Sequence, residues 1–212
     1  MIDERTANRF TRYMKKYPEL YQELSYIVHR TSSSPRPLIL DVGAGSGLLA
    51  SELQRTIPQA TIIGLDPDQH MLQLAIEQTN RETFQPLRGA VEHLPFSSDT
   101  FDIIVSRFSI HYWHTPEEGV QEIFRVLKPG GYVVVESLNK DFPSWKRALV
   151  KLHMFLKFAG SDVVRYHSDA YQDAFTSKHL EDLFMSLGFL IKEKKGGNKE
   201  WKFTLVAHKP RK

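Results

Sequence analysis

The segment Asp41-Val42-Gly43-Ala44-Gly45-Ser46-Gly47 restricts what this chain can fold into more than any other. It follows an apolar run, Leu38-Ile39-Leu40-Asp41-Val42, that reads as a short buried strand. It precedes a helical pattern from about Leu48 to Thr56 that Pro58 terminates. Glycines at alternate positions let a backbone turn sharply and lie against a ligand. The N-terminus of the following helix adds unpaired N–H groups and positive potential. A second strand, Thr61-Ile62-Ile63-Gly64-Leu65, ends at Asp66, where a carboxylate suits both hydroxyls of a ribose. A plain strand-to-helix turn is the bland alternative, and the flanking Asp41 and Asp66 argue against it. The dinucleotide pattern Gly-x-Gly-x-x-Gly fails, because the sixth position counted from Gly43 is Leu48. No Gly-Lys-Ser/Thr follows, which excludes a P-loop.

Strand and helix patterns alternate beyond this point. Pro67 and Asp68 open a helix carrying Met71, Leu72 and Ala75, a weaker strand spans Phe84 to Arg88, and Phe101 to Ser106 is apolar on both faces. Thr115, Pro116 and Glu118 read as a capping box ahead of a helix buried on Val120, Ile123, Phe124 and Leu127. Lys128-Pro129-Gly130-Gly131 turns that helix into a strand from Tyr132 to Ser137. Near the C-terminus, an amphipathic helix from Thr176 to Leu187 leads into two strands joined at Lys195-Gly196-Gly197-Asn198. The alternation predicts an α/β fold, a Rossmann-like, seven-stranded and mostly parallel sheet with helices on both faces and an antiparallel C-terminal hairpin. Residues 1–212 are expected to form one domain, with an N-terminal helical segment over 1–30 and a lid-like insert over 139–175.

With 212 residues, 41% of them hydrophobic and 25% charged, the chain has the make-up of an ordinary globular domain. A net charge of +3 is too small to argue for nucleic acid, which is disfavoured as a partner. The chain lacks cysteine, so neither a disulfide framework nor a thiol nucleophile is available. No metal site is expected, since His93, His111 and His114 do not have ligand spacing. The first ten residues lack the apolar core of a signal peptide and no run reaches transmembrane length, so a cytoplasmic protein without a transmembrane segment is expected. Lys192, Lys194, Lys195, Lys199, Lys202, Lys209, Arg211 and Lys212 read as a solvated basic edge and tail.

Four motifs in order resemble those of the class I S-adenosylmethionine (SAM)-dependent methyltransferases, in the group that includes the ubiquinone and menaquinone C-methylases. They are Leu40-Asp41-Val42-Gly43-Ala44-Gly45-Ser46-Gly47; Gly64-Leu65-Asp66-Pro67 with Met71-Leu72; Glu92-His93-Leu94-Pro95-Phe96 with Phe101 to Ser106; and Glu122 to Gly131. The resemblance covers about Leu38 to Leu138. It implies SAM as cofactor and methyl transfer to a small-molecule acceptor. Asp41, Gly43, Ala44, Gly45 and Gly47 would line the methionine and ribose. Asp66 would hold the ribose hydroxyls, with Pro67 and Met71 against the adenine. Val91 and Glu92 would flank the adenine amino edge, and Ser106 and Arg107 would sit beside the sulfonium. Relatives commonly carry Asp-Ala-Glu where this chain has Ala90-Val91-Glu92, so one adenine contact is missing or passes to Glu92 or the backbone.

His111 is either a general base or a packed histidine, and methyl transfer needs alignment and water exclusion more than acid-base power. In the insert, Trp145, Leu149, Leu152 and Leu156 share one helical face and are expected to pack on the body. Met154, Phe155 and Phe158 fall outside that stripe and suggest a lid over an apolar or aromatic acceptor, with Tyr166, His167 and Tyr171 adding polar contacts near its mouth. A dimer interface, making the chain a homodimer, or a membrane-surface contact competes with the lid. A non-catalytic SAM-binding subunit and a nicotinamide oxidoreductase are the rival functions, and the glycine spacing disfavours the second.

Overall fold

The computed structural model describes residues 4–158, 171, 173–197 and 199–211. Seven strands form one sheet in the order β3-β2-β1-β4-β5-β7-β6. They are β1 (Leu38–Val42), β2 (Thr61–Asp66), β3 (Phe84–Arg88), β4 (Phe101–Arg107), β5 (Leu127–Leu138), β6 (Leu190–Lys195) and β7 (Lys202–His208). The first five are parallel, whereas β7 pairs antiparallel with both β5 and β6. This is the Rossmann-like sheet expected from the alternation, closed at one edge by the expected hairpin.

Successive strand residues point to opposite faces, and β1 shows the consequence. Ile39 enters the core formed with α2 (Glu19–Thr31), α3 (Leu48–Thr56) and α4 (Gln69–Gln78), through Leu24, Val28, Leu53 and Ala75. Leu40 and Val42 enter the opposite core with α5 (Pro116–Val126) and α7 (Ser177–Ser186), through Val120, Ile123, Leu180 and Phe184. With both faces covered, the middles of the central strands are apolar on both sides, as Ile103, Ile104 and Val105 show by being at most 1% exposed. A third, smaller cluster of Leu138, Phe142, Tyr171 and Ala174 sits beyond the carboxyl end of β5. The strand order reverses between β1 and β4, and the carboxyl ends of the strands diverge there to leave a crevice.

Four local expectations are corrected. The N-terminal segment is two helices, α1 (Glu4–Met14) and α2. Pro18 has no N–H to give the Met14 carbonyl, which instead accepts from Tyr17 at 3.0 Å. The capping box is not formed, because the Thr115 side chain makes no cap hydrogen bond. Glu92 takes that role from a distant loop, its Oε1 accepting from the His114 N–H at 2.7 Å and the Thr115 N–H at 3.2 Å. Lys209 is not a solvated tail residue. It is 9% exposed, and its Nζ donates to Asp99 and to the Phe124 and Leu127 carbonyls, capping the C-terminal end of α5.

The fourth correction concerns α6 (Ser144–Phe158). Its stripe of Trp145, Leu149, Leu152 and Leu156 does not pack on the body: these residues are 63%, 59%, 55% and 73% exposed. Among the described side chains of α6, Val150 packs inward, against the small third cluster. Phe155 is also exposed, so it does not supply a ligand-facing side. The side chains of Met154 and Phe158, and residues Tyr166 and His167, lie outside the described residues.

Candidate functional site

The glycine loop is held in place by the end of the neighbouring strand. Gly43 and Ala44 donate their N–H groups to the Leu65 carbonyl at 2.8 and 3.0 Å, and Gly45 donates to Asp66 Oδ2 at 2.8 Å. These three donors are therefore used within the protein, and the loop meets a ligand through its bare backbone. Two glycines show why. Gly43 has φ +74° and lies under Ser109, so that a Cβ would come within 2.3 Å of Ser109 Cβ. Gly45 has φ +53°, and a Cβ there would meet nothing within 4 Å. Gly45 faces open space, so its lack of a side chain lets a ligand approach the backbone closely.

That space is a cavity of about 870 Å³. On one side of the loop it is lined by Asp66, Pro67, Met71, Val91 and Glu92. Asp66 Oδ1 accepts the Asp68 N–H at 2.9 Å, so each carboxylate oxygen holds one backbone donor and keeps further lone pairs for the cavity. Burial raises its pKa, and the two N–H donors pull it back down. Glu92, by capping α5, fixes the loop that carries Val91 and Ala90 along the cavity wall.

Asp41, at the carboxyl end of β1, lines the floor. It is 1% exposed and its Oδ2 has no partner among the described residues. Burial, reinforced by the nearby Asp66 charge and opposed by Arg107, pushes its pKa up to about 7. A buried carboxylate without a cation is costly to ionise, and the remedy it lacks is positive charge from a ligand.

The other half of the cavity is aromatic. Tyr13 of α1, Tyr17 of the turn between α1 and α2, Tyr21 of α2, Phe108 and Trp201 flanking β4 and β7, and Tyr171 line it, together with Val150 of α6. Arg107 stands between the halves. Its Nε donates to Glu136 at 2.9 Å, and its guanidinium lies 4.3 Å from the ring centres of both Tyr21 and Phe108. Its buried Nη2 has no hydrogen-bond partner among the described residues. Phe108 adopts φ +51°, a conformation that a bulky side chain rarely takes and that turns its ring onto Arg107. His111 is 7% exposed, lines the same cavity, and its ring centre is 4.2 Å from that of Tyr112.

Of the residues singled out from sequence, Asp41, Gly43, Ala44, Gly45, Asp66, Pro67, Met71, Val91, Glu92, Arg107 and His111 converge on the cavity. Gly47 and Ser106 do not line it. Gly47 is pressed against Ala75 of α4, and the Ser106 hydroxyl is fully buried 2.6 Å from that of Ser109. The sequence reading missed Ser109. Its hydroxyl donates to the Val42 carbonyl at 3.0 Å and accepts from Trp113 Nε1 at 3.1 Å, joining the ends of β1 and β4. It also missed Phe108 and Trp201, whose only sequence signal is their aromatic character at strand ends.

The residues fit a cofactor with a ribose and a cationic centre. Asp66 offers acceptors for hydroxyls, Gly45 leaves room for close approach, and Asp41 presents an uncompensated carboxylate. Comparisons with known proteins agree with that chemistry. Residues 40–135 match the family described as "Methyltransferase domain". The chain is similar to a chloroplastic 2-methyl-6-phytyl-1,4-hydroquinone methyltransferase of Oryza sativa subsp. japonica, 37% identical over 93 residues. That match spans 44% of this chain and 27% of the rice protein. It is also similar to the demethylmenaquinone methyltransferase of Lactococcus lactis, 29% identical over 190 residues, covering 82% of this chain and 75% of that protein. A SAM-dependent methyltransferase structure from Aquifex aeolicus superposes with a TM-score of 0.73 at 15% identity, covering 99% of this chain and 100% of that one. The plantazolicin methyltransferase in complex with SAH superposes with a TM-score of 0.75 at 13% identity, over 96% of this chain and 90% of that one. At such identities these two structures speak for the fold.

Proposed function

We propose that this chain, whose residues 40–135 match the methyltransferase domain family, is a class I SAM-dependent methyltransferase that methylates a small aromatic acceptor of the hydroquinone type. The cofactor is SAM, which supplies a methyl carbon bonded to a cationic sulfur. Transfer forms one bond from that carbon to the acceptor, breaks the carbon–sulfur bond, and releases one proton from the acceptor. The observation that carries the reading is the two-sided cavity. One side has the ribose acceptor Asp66 and the exposed Gly45 backbone, the other has six aromatic side chains, and Arg107 lies at the junction.

The chain's own residues align, shield and neutralise. Asp66 orients the ribose, and Asp41 offers its carboxylate to positive charge. The aromatic walls exclude water and stack against a ring. Arg107 Nη2 donates to an acceptor hydroxyl as that oxygen gains negative character. His111 receives the departing proton. The relatives named as 2-methyl-6-phytyl-1,4-hydroquinone and demethylmenaquinone methyltransferases support this acceptor class.

The test is transfer of a labelled methyl group to short-chain and prenylated hydroquinones, with fatty acids as a non-aromatic comparison. Label on a hydroquinone supports the reading. SAM binding with no transfer to any ring acceptor overturns it in favour of a non-catalytic SAM-binding subunit. NAD binding without SAM binding overturns the cofactor assignment as well.

A further inference from the structure

The exposed stripe of α6 is unusual for a water-facing helix. Trp145, Leu149, Leu152 and Leu156 recur at spacings of three and four residues, so they stand on one side of the helix. All four are more than half exposed, although large apolar side chains elsewhere in the chain are mostly buried. Among the described residues, none of the other helices shows four such residues on one face. The helix also holds Lys146, Arg147, Lys151 and Lys157 and no Asp or Glu. The ammonium of Lys146 lies 5.4 Å from the Trp145 ring, which places positive charge beside the apolar stripe.

We propose that α6 is a docking helix for an anionic lipid bilayer, with its apolar stripe in the acyl boundary and its cations among the headgroups. Three observations select this occupant. An apolar stripe on a helix whose charged residues are all basic matches an anionic interface, where each part contributes to binding. Two copies of this helix packed together would oppose like charges, which disfavours a symmetric dimer. Val150 on the opposite side of α6 lines the aromatic half of the cavity, so docking would set the acceptor chamber close to the membrane surface. No helix of the described residues is long and apolar enough to cross a membrane, and the contact proposed is peripheral. The purpose of docking, access to an acceptor with a hydrocarbon tail, rests on the hydroquinone reading. The docking surface itself does not.

The experiment is co-sedimentation of the full chain with vesicles of phosphatidylcholine, with and without phosphatidylglycerol. Vesicles containing phosphatidylglycerol should bind the chain, and added salt should weaken that binding. The variant carrying Trp145→Ser, Leu149→Ser and Leu156→Ser should lose about a hundredfold in partitioning. It should keep SAM affinity and transfer to a short-chain hydroquinone, because none of the three residues lines the cavity. Lys146→Gln with Lys151→Gln should abolish the preference for the anionic vesicles. Binding by the wild type that survives the triple substitution overturns the proposal, as does no binding to anionic vesicles at low salt. A dimer that the triple variant dissociates overturns it too, by assigning the stripe to a second copy. Vesicle binding without transfer to any hydroquinone leaves docking standing and fells only the acceptor reading.

Discussion

At the scale of single residues, two buried carboxylates of opposite circumstance stand in the half of the cavity proposed for the cofactor. Asp66 is satisfied by backbone donors and also shapes the glycine loop through Gly45. Asp66→Ala is expected to weaken SAM binding by about 2 kcal/mol, roughly thirtyfold, through lost charge-assisted hydrogen bonds. Calorimetry on the folded variant checks this, and an unchanged constant removes Asp66 from the site. Asp41 is unsatisfied, and its folded pKa of about 7 lies above the ~3.9 of an unfolded chain. The folded state thus holds that proton more tightly. The contribution to stability is full below pH ~4 and is lost as the pH rises through about 7. A cationic ligand favours the ionised carboxylate, so SAM affinity should rise with pH up to about 7, by at most about tenfold per unit, and then level off. Asp41→Asn should flatten that step, and a wild-type affinity indifferent to pH between roughly 6 and 8 contradicts the assignment. His111→Asn should lower kcat by about a hundredfold while SAM affinity holds. Unchanged turnover makes His111 a packing residue.

Among the described elements, α5 has both ends held from elsewhere in the chain. Glu92 caps its start and Lys209 its finish, while Thr115, at the N-cap position, contributes no side-chain bond. Glu92→Ala is therefore expected to cost about 1 kcal/mol, and Thr115→Ala to stay within about 0.5 kcal/mol. Thermal melts of the two variants decide it; the reverse order shows that the threonine is the cap. Glu92→Ala should also weaken SAM binding, because the same bond holds the Ala90–Val91 wall. The basic hairpin shows the same interlocking. Lys202 is anchored to the buried Glu136, the partner of Arg107, and Lys195 to Glu23 of α2. Of these two lysines, Lys202 is largely buried at its pair, whereas Lys195 keeps its pair while facing water.

For the molecule as a whole, the cavity joins two halves built from different parts of the chain. The half proposed for the cofactor comes from the strand ends of β1 and β2 and the loop after β3. The aromatic half comes from α1, the turn before α2, α2, α6, Tyr171 and the ends of β4 and β7. Their kinetic signatures should separate. Tyr17→Ala or Trp201→Ala is expected to raise the acceptor KM about tenfold and leave the SAM Kd within twofold, whereas Asp66→Ala does the opposite. Steady-state kinetics with each substrate varied in turn checks this, and a Tyr17→Ala variant that loses SAM affinity shows that the halves are not independent.

The sequence by itself determined the strand-helix alternation, the bounds of β1, α3 and β3, and the glycine loop with Asp66. Each of these rests on local physics: side-chain periodicity, the few conformations open to a tight turn, and a carboxylate at a strand end. It also determined that α6 carries an apolar stripe, but helical spacing says only which residues share a face. Which way that face points depends on what the rest of the chain leaves uncovered, and here Val150 packs inward while Trp145 and Leu149 stay outside. Ser109 over Gly43, Glu92 on α5 and the aromatic chamber were likewise decided only by tertiary structure. Their partners lie 22 to 100 or more residues apart, and no periodicity of the chain records which distant groups the closing sheet will bring within hydrogen-bond reach.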